Sequence, residues 1–317
     1  MTADHPDDFP YEPAPEQKDP KVLRTYWGIA KGLQAVDGLK PSEYLEALSQ
    51  ETIEGTRTLD ESGELIRSYY AKPRKDDSDG DRRPAAPEVA SSSEDAPTGR
   101  SETEEADLVT QRIAELLARG AFMFAPEMLS HIHEYLFQDL DAEVYHPGRY
   151  KEEPLLKREA ILNGDSVSYA DPTLVEASLR LAFEDEVGHE YGAVFDEAAL
   201  ENLARFVSRI WQAHPFGEGN TRTVAVFTVL YLNDLGYDIT NEPFEHHARY
   251  FRDALVRANY RNPKANAFPE FAFLVRFFDA VLNATEAPAD SEFDSQELEV
   301  DALFDDPSLL RVMPPKD

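Results

Sequence analysis

The chain has 317 residues, with 62 acidic and 31 basic side chains, no cysteine and an isoelectric point near 4.5. The lack of cysteine excludes disulfides, thiolate metal sites and cysteine nucleophiles, and a net charge of −31 disfavours contact with nucleic-acid phosphates. No apolar run reaches the roughly 18 residues of a membrane span and the N-terminus lacks signal-peptide features, so we expect a cytoplasmic protein without membrane or nucleic-acid partners.

Three segments are rich in Pro, Ser, Asp and Glu, and together they hold more than half of the net negative charge. Such sequences bury too little apolar surface to offset the entropy that is lost on folding. We therefore expect a disordered tail over 1–20, a disordered linker over 73–106 and a second acidic tail over 284–317.

Residues 21–72 have the periodicity of three short helices. The first ends at Asp37-Gly38, because glycine commonly follows a helix end. The second runs from Ser42 to about residue 53, and the third begins at Thr58-Leu59-Asp60-Glu61, which is a capping-box pattern. So short a domain is marginally stable alone, so we expect it to pack on the larger part of the chain.

Residues 107–283 are also predicted to be mainly α-helical, as a helical bundle. The candidate helices are 107–119, 126–140, 172–186, 196–213, 221–235, 245–260 and 269–283. The exception is 144–170, where Asn163-Gly164 separates two short apolar runs. That pattern predicts a β-hairpin.

One ten-residue stretch combines residue types suited to phosphorus chemistry. It reads His214-Pro215-Phe216-Gly217-Glu218-Gly219-Asn220-Thr221-Arg222-Thr223 and precedes a very apolar helix. A glycine-containing loop at a helix N-terminus presents bare amides to an anion. Arg222 adds a cation, Glu218 is a ligand that Mg²⁺ accepts beside phosphates, and His214 can take a proton from a hydroxyl.

This stretch resembles the signature loop of the Fic family, whose members typically transfer AMP from ATP to a hydroxyl of a target protein. The resemblance implies that His214 is the general base, that Glu218 holds Mg²⁺, and that Arg222 binds the β-phosphate of ATP. It implies further phosphate contacts from Gly217, Gly219, Asn220 and Thr221. It also implies a Fic fold over 107–283.

The resemblance also assigns a function to the predicted hairpin. In the family this flap holds a segment of the target protein by strand-like pairing, which recognises the backbone of the target more than its side chains. The corresponding flap residues are Leu162, Asn163, Gly164, Ser166 and Val167.

Two positions depart from the family pattern. Thr221 stands where Gly or Lys is usual, and Ala225 stands where the family has a second arginine that holds the γ-phosphate. Arg252 and Arg257, on the next predicted helix, are alternative sources of that charge. The other interpretation is that both are ordinary surface arginines.

The N-terminal helices resemble small antitoxins of the VbhA type, here fused to the enzyme. In the family an inhibitory glutamate pairs with the second arginine; here Asp37, followed by Gly38, takes its place, and Glu54 is the candidate in a second register. Because Ala225 offers Asp37 no partner, we expect weak restraint, with less than a tenfold change of activity when residues 1–72 are removed.

The sequence therefore predicts a Mg²⁺-dependent protein adenylyltransferase that uses ATP, with an unidentified target protein and self-modification as an open possibility. Two alternatives remain. One is a Fic-fold enzyme that transfers another phosphorus-containing group, and the other is a catalytically weakened nucleotide-binding scaffold, which the loss at Ala225 favours.

Overall fold

The computed structural model of the protein describes residues 19–71, 102–284 and 289–300. Its regular elements are helices, and these three ranges contain no strand. The α-helices are α1 (Pro20–Gly32), α2 (Glu43–Ile53), α3 (Leu59–Ala71), α4 (Glu102–Arg119), α5 (Glu127–Phe137), α6 (Ala142–Tyr145), α7 (Val175–Glu186), α8 (Glu197–Ala213), α9 (Asn220–Asp234), α10 (Glu242–Asn259) and α11 (Ala272–Asn283). The predicted mainly α-helical class is confirmed.

None of these helices has both the length and the apolarity that crossing a membrane requires.

Helix α9 lies at the centre of the larger part of the molecule. Every residue from Asn220 to Leu232 is buried, and α4, α5 and α8 pack around it. A helix that is apolar on most sides is stable only when neighbours cover each face. The loop that precedes α9 is consequently attached to a rigid, central element.

Helices α1 to α3 form the N-terminal module, which packs on α4 and α10. The backbones are close at Gly32, where an added Cβ would lie 2.1 Å from the carbonyl oxygen of Phe244. The amide and hydroxyl of Ser42 both donate to the buried carboxylate of Asp107 in α4, at 2.7 and 2.6 Å, and the Tyr70 hydroxyl donates to it at 2.7 Å. These bonds fix α2 and α3 to the larger part.

The helix ends predicted in this module are confirmed. Gly38 adopts a φ of 74° after a short 3-10 helix (Leu33–Asp37), as expected for a glycine that ends a helix. At the start of α3, the Thr58 amide donates to the Glu61 carboxylate at 2.9 Å, and the Glu61 amide donates to the Thr58 hydroxyl at 3.1 Å. This is the reciprocal pattern of a capping box.

The predicted β-hairpin is wrong for this segment. Asn163 and Gly164 do form a turn, with φ of 53° and 87°, but residues Ala160–Leu162 coil into a 3-10 helix and no strands flank the turn. Leu162 and Val167 are buried in the core, where their burial is more favourable than it would be along an exposed hairpin. We call residues 157–169 the flap segment.

Two expected disordered regions are partly ordered. Helix α4 begins at Glu102, inside the expected linker, with three acidic residues in its first turn that suit the positive end of the helix dipole. Residues 289–300 form two short 3-10 helices, whose Phe293 and Leu298 are buried against α10. The acidic composition concealed these apolar anchors. Residues 1–18, 73–101, 285–288 and 301–317 of the expected tails and linker lie outside the described residues.

Candidate active site

The candidate site is a tight loop between α8 and α9. His214 ends α8 with a φ of 45°, and Gly219 precedes α9 with a φ of 72°. The positive φ of Gly219 favours glycine. Close packing requires it as well, since an added Cβ would lie 2.3 Å from the Phe137 ring. The loop amides therefore gather at the N-terminus of a long buried helix, where an anion is favoured.

The side chain of Asn220 stabilises the loop itself. Its Oδ1 accepts from the Phe216 amide at 2.9 Å, and its Nδ2 donates to the Phe216 carbonyl at 2.7 Å. The neighbouring Thr221 hydroxyl accepts from Nε1 of Trp211 at 3.0 Å. Both side chains are buried, so they shape the loop in addition to any contact with a ligand.

The imidazole of His214 has the electronic form of a base. Its Nδ1 lies 3.3 Å from the carbonyl oxygen of Trp211, which can only accept, so Nδ1 carries the proton. Nε2 is buried and has no hydrogen-bond partner. Burial, aided by the charges of Lys157 and Lys151, holds the pKa of His214 well below its ordinary value, so the ring is neutral.

The ring of Tyr169 covers His214. The two rings are stacked with centroids 4.0 Å apart and an interplanar angle of 30°. The Tyr169 hydroxyl donates to the Glu159 carboxylate at 3.3 Å, and Nη2 of Arg252 donates to the same carboxylate at 2.7 Å. A network from the flap segment and α10 thus closes over the histidine.

The carboxylate of Glu218 is half exposed and lies 3.0 Å from the Nζ of Lys157 in the flap segment. No group of three or more acidic or histidine side chains able to hold a metal occurs among residues 19–71, 102–284 and 289–300. One accessible carboxylate beside an amide loop fits a Mg²⁺ ion that takes most of its ligands from phosphates. Binding such an ion requires Lys157 to leave Glu218.

Arg222 is enclosed by the N-terminal module and α4, with only 2% of its side chain exposed. Its Nε lies 2.9 Å from the carboxylate of Asp37, and its Nη2 donates to the carboxylate of Glu105 at 2.9 Å. Nη1 donates to the amide oxygen of Gln34 at 3.3 Å, and the guanidinium lies over the Phe137 ring. The expectation that Asp37 lacks an arginine partner is therefore wrong: its partner is the first arginine of the motif.

The second inhibitory register has no such contact. Glu54 lies at the exposed end of α2, where its carboxylate accepts from Nε2 of Gln50 at 2.6 Å. It does not line the cavity beside His214, whereas Asp37 does. The structure thus brings Asp37 and not Glu54 to the loop.

The cavity between the loop and the flap segment is small. It measures about 30 Å³, and His214, Asn220 and Thr221 share its wall with Asp37, Lys157 and Arg252. That volume holds roughly one water molecule. A nucleotide therefore requires the module or the flap segment to move.

The predicted docking residues of the flap segment do not line this cavity. Leu162, Ser166 and Val167 are buried, whereas Asn163 is exposed and Gly164 is half-buried. Their role in holding a target stays a prediction.

His133 is a further residue of the site, and the sequence does not reveal it. Its Nδ1 accepts from the Gly148 amide at 3.0 Å, so its Nε2 carries the proton and donates to the Glu218 carbonyl at 3.1 Å. The ring stacks on Phe216 with centroids 3.8 Å apart, and burial lowers the pKa of His133 to about 3. A histidine far upstream in the chain carries no sequence signal of this loop contact.

Comparison with protein families gives one match. Residues 123–232 match the model of the Fic/DOC family, and this range includes the flap segment, the loop and most of α9. No curated protein and no solved structure matches the chain. The match supports a Fic-fold enzyme over these residues, and the N-terminal module lies outside it.

Proposed function

Proceeding from a Fic domain over residues 123–232, we propose that the protein transfers AMP from ATP to a Ser, Thr or Tyr hydroxyl of a target protein. The observation that carries this proposal is the bare Nε2 of His214, a neutral, fixed imidazole at the edge of an anion-binding loop. A base of this kind serves attack by a hydroxyl, and the loop suits the phosphates of a nucleotide.

The reaction is an in-line displacement at the α-phosphorus of ATP. His214 takes the proton of the target hydroxyl at Nε2, the hydroxyl oxygen forms a bond to the α-phosphorus, and the bond from that phosphorus to the bridging oxygen breaks. Pyrophosphate leaves with the electron pair of the broken bond. The loop amides and Arg222 stabilise the negative charge that develops on the phosphates.

Glu218 is the residue that would hold Mg²⁺, and the ion would supply charge neutralisation on the phosphates. The half-exposed carboxylate supports this assignment, since an ion can reach it from solvent by displacing the Nζ of Lys157. Asn220 would act by holding the loop in shape, through its two hydrogen bonds to the backbone of Phe216.

We further propose that the described arrangement is a restrained state. Asp37 and Glu105 neutralise Arg222, and the cavity beside His214 is too small for a nucleotide. The N-terminal module would act as a built-in inhibitor. Its carboxylate contacts Arg222, whereas the family pattern places the arginine partner at the position of Ala225. Release of Asp37 from Arg222 is then the step that admits ATP.

Mass spectrometry of modified protein tests the transferred group. The full chain carrying Asp37→Ala is incubated with ATP, Mg²⁺ and cell lysate, and modified peptides from the lysate and from the chain itself are identified. A mass gain equal to an AMP moiety supports the proposal, and a gain equal to one phosphate favours phosphoryl transfer. Absence of any gain, with ATP still bound, favours the weakened nucleotide-binding scaffold.

A further inference from the structure

The loop and helix α9 supply a single arginine, Arg222, to the proposed phosphate site. Ala225, one turn further along α9, is completely buried and contributes neither charge nor a hydrogen bond from its side chain. A bound triphosphate carries several negative charges, and a lone guanidinium leaves part of them without a partner in the protein. A further cation near the cavity would meet this need.

Arg252 is placed to supply that cation. It extends from α10 to the wall of the cavity that His214, Asn220 and Thr221 also line, and a quarter of its side chain is exposed. Its Nη2 is held by Glu159 at 2.7 Å. Arg257, the other arginine considered on this helix, does not line the cavity.

Asp37 brings a carboxylate to the cavity wall that Arg252 also lines. Its carboxylate pairs with Arg222 from α9 and lies at the cavity wall that Arg252 reaches from α10. Burial alone would lower the pKa of Arg252, but the negative charges of Glu159, Asp253 and Asp37 raise it. The side chain of Arg252 therefore stays charged.

We infer that Arg252 is a phosphate-binding residue of the nucleotide site. This inference rests on the proposed function. Arg252 of α10 would then provide the positive charge that α9 lacks, because α9 has alanine at position 225.

The test measures nucleotide binding, not transfer, in a full-length background that carries Gly32→Ala and Asp37→Ala. The first substitution forces α1 away from α10, because its Cβ would lie 2.1 Å from a backbone oxygen, and the second removes the competing carboxylate. Affinities for ATP and for AMP are measured by titration calorimetry.

Arg252→Gln in this background is expected to weaken ATP binding by about tenfold or more, the loss typical of a charged hydrogen bond. AMP, which lacks the outer phosphates, is expected to change by less than about threefold on the same scale. Arg249→Gln is the matched control, since Arg249 is on the same helix and is exposed. Equal ATP affinity in the Arg252→Gln and Arg249→Gln variants would overturn the inference and leave the proposed function intact.

A double variant separates binding from folding. Arg252→Gln leaves the buried carboxylate of Glu159 without this partner, whereas Glu159→Gln combined with Arg252→Gln removes both charges. The inference predicts weak ATP binding in the double variant as well. Recovery of ATP affinity there would assign Arg252 a structural role and overturn the inference. If the background protein itself binds no ATP, the proposed function fails together with it.

Discussion

The carboxylate of Asp37 lies 2.9 Å from the Nε of Arg222, and this ion pair joins the N-terminal module to the first turn of α9. Glu105 contacts the same guanidinium from α4. The arginine that resemblance assigns to a nucleotide phosphate is thus already neutralised by two carboxylates of its own chain. The pair is the physical basis of the restraint that we propose.

Replacement of His214 by alanine is expected to abolish transfer. Loss of a general base typically lowers a rate by about 10²- to 10⁴-fold. Nucleotide affinity should stay within about threefold of the parent, a difference under 1 kcal/mol, because the free Nε2 is assigned to the hydroxyl and not to phosphate. Transfer rate and ATP affinity are measured separately, in the Asp37→Ala background. Loss of affinity with little loss of rate at saturation would make His214 a binding residue.

Replacement of Lys157 by methionine is expected to strengthen metal binding at Glu218. The Lys157–Glu218 pair is partly exposed, and such pairs contribute at most about 1 kcal/mol, so the metal concentration at half-saturation should fall by up to about fivefold. Binding of Mn²⁺, as a paramagnetic substitute, is followed by relaxation of water protons with ATP present in the Asp37→Ala background.

Glu218→Ala is the complementary variant. It should lose both the bound Mn²⁺ signal and the Mg²⁺-dependent activity, because it removes the carboxylate that we assign to the ion. Unchanged Mn²⁺ binding in Glu218→Ala would place the metal elsewhere. A Lys157→Met variant with unchanged metal affinity would show that the lysine does not compete.

The buried His133 is expected to make the protein sensitive to acid. Its pKa in the folded state, about 3, lies below its ordinary value of 6.5, so its contribution to stability is complete above pH 6.5 and is lost as the pH falls. Each pKa unit corresponds to about 1.4 kcal/mol, so by about pH 4.5 the loss in free energy of unfolding reaches about 3 kcal/mol.

Chemical denaturation of the full chain between about pH 7 and 4.5 measures this term. His133→Gln should have a lower stability at neutral pH and a shallower decline toward acid than the parent protein. The exposed His189 serves as the control, since His189→Gln should keep the parental slope. Equal slopes in all three proteins would contradict the buried, neutral state of His133.

Local features of the fold could be predicted from the sequence. The glycine turn at Gly38, the capping box at Thr58 and Glu61, and the apolar helix after the loop each follow from neighbouring residues alone. Asn163-Gly164 shows the limit of local signals: the turn forms, but burial of Leu162 and Val167 decides what surrounds it.

Contacts between distant segments could not be predicted. The pairing of Asp37 and Glu105 with Arg222 depends on how the 3-10 helix Leu33–Asp37 and α4 pack against α9, and no sequence pattern encodes that approach. The family pattern places the arginine partner of the inhibitory carboxylate at position 225, so the alanine there indicated that Asp37 had no partner. The same holds for Lys157 at Glu218, which becomes visible only when the flap segment is placed over the loop.

The Asp37–Arg222 pair changes the expected effect of the N-terminal module on activity, which the sequence predicted to be less than tenfold. Asp37→Ala in the full chain should raise the rate of AMP transfer by more than tenfold, because the buried guanidinium of Arg222 loses one of its two carboxylate partners and becomes available to a phosphate. Gly32→Ala, which disturbs the docking of α1 without touching Arg222, should act in the same direction.

Whether the Asp37–Arg222 pair restrains transfer is measured by the initial rate of label transfer from α-labelled ATP, compared among the parent chain, Asp37→Ala and Glu54→Ala. Glu54 is the matched control, an acidic residue of the same module whose carboxylate is bound by Gln50 and not by the loop. We expect a rise of more than tenfold for Asp37→Ala alone, abolished when His214→Ala is added. No rise for Asp37→Ala, or an equal rise for Glu54→Ala, would show that the Asp37–Arg222 pair does not restrain transfer.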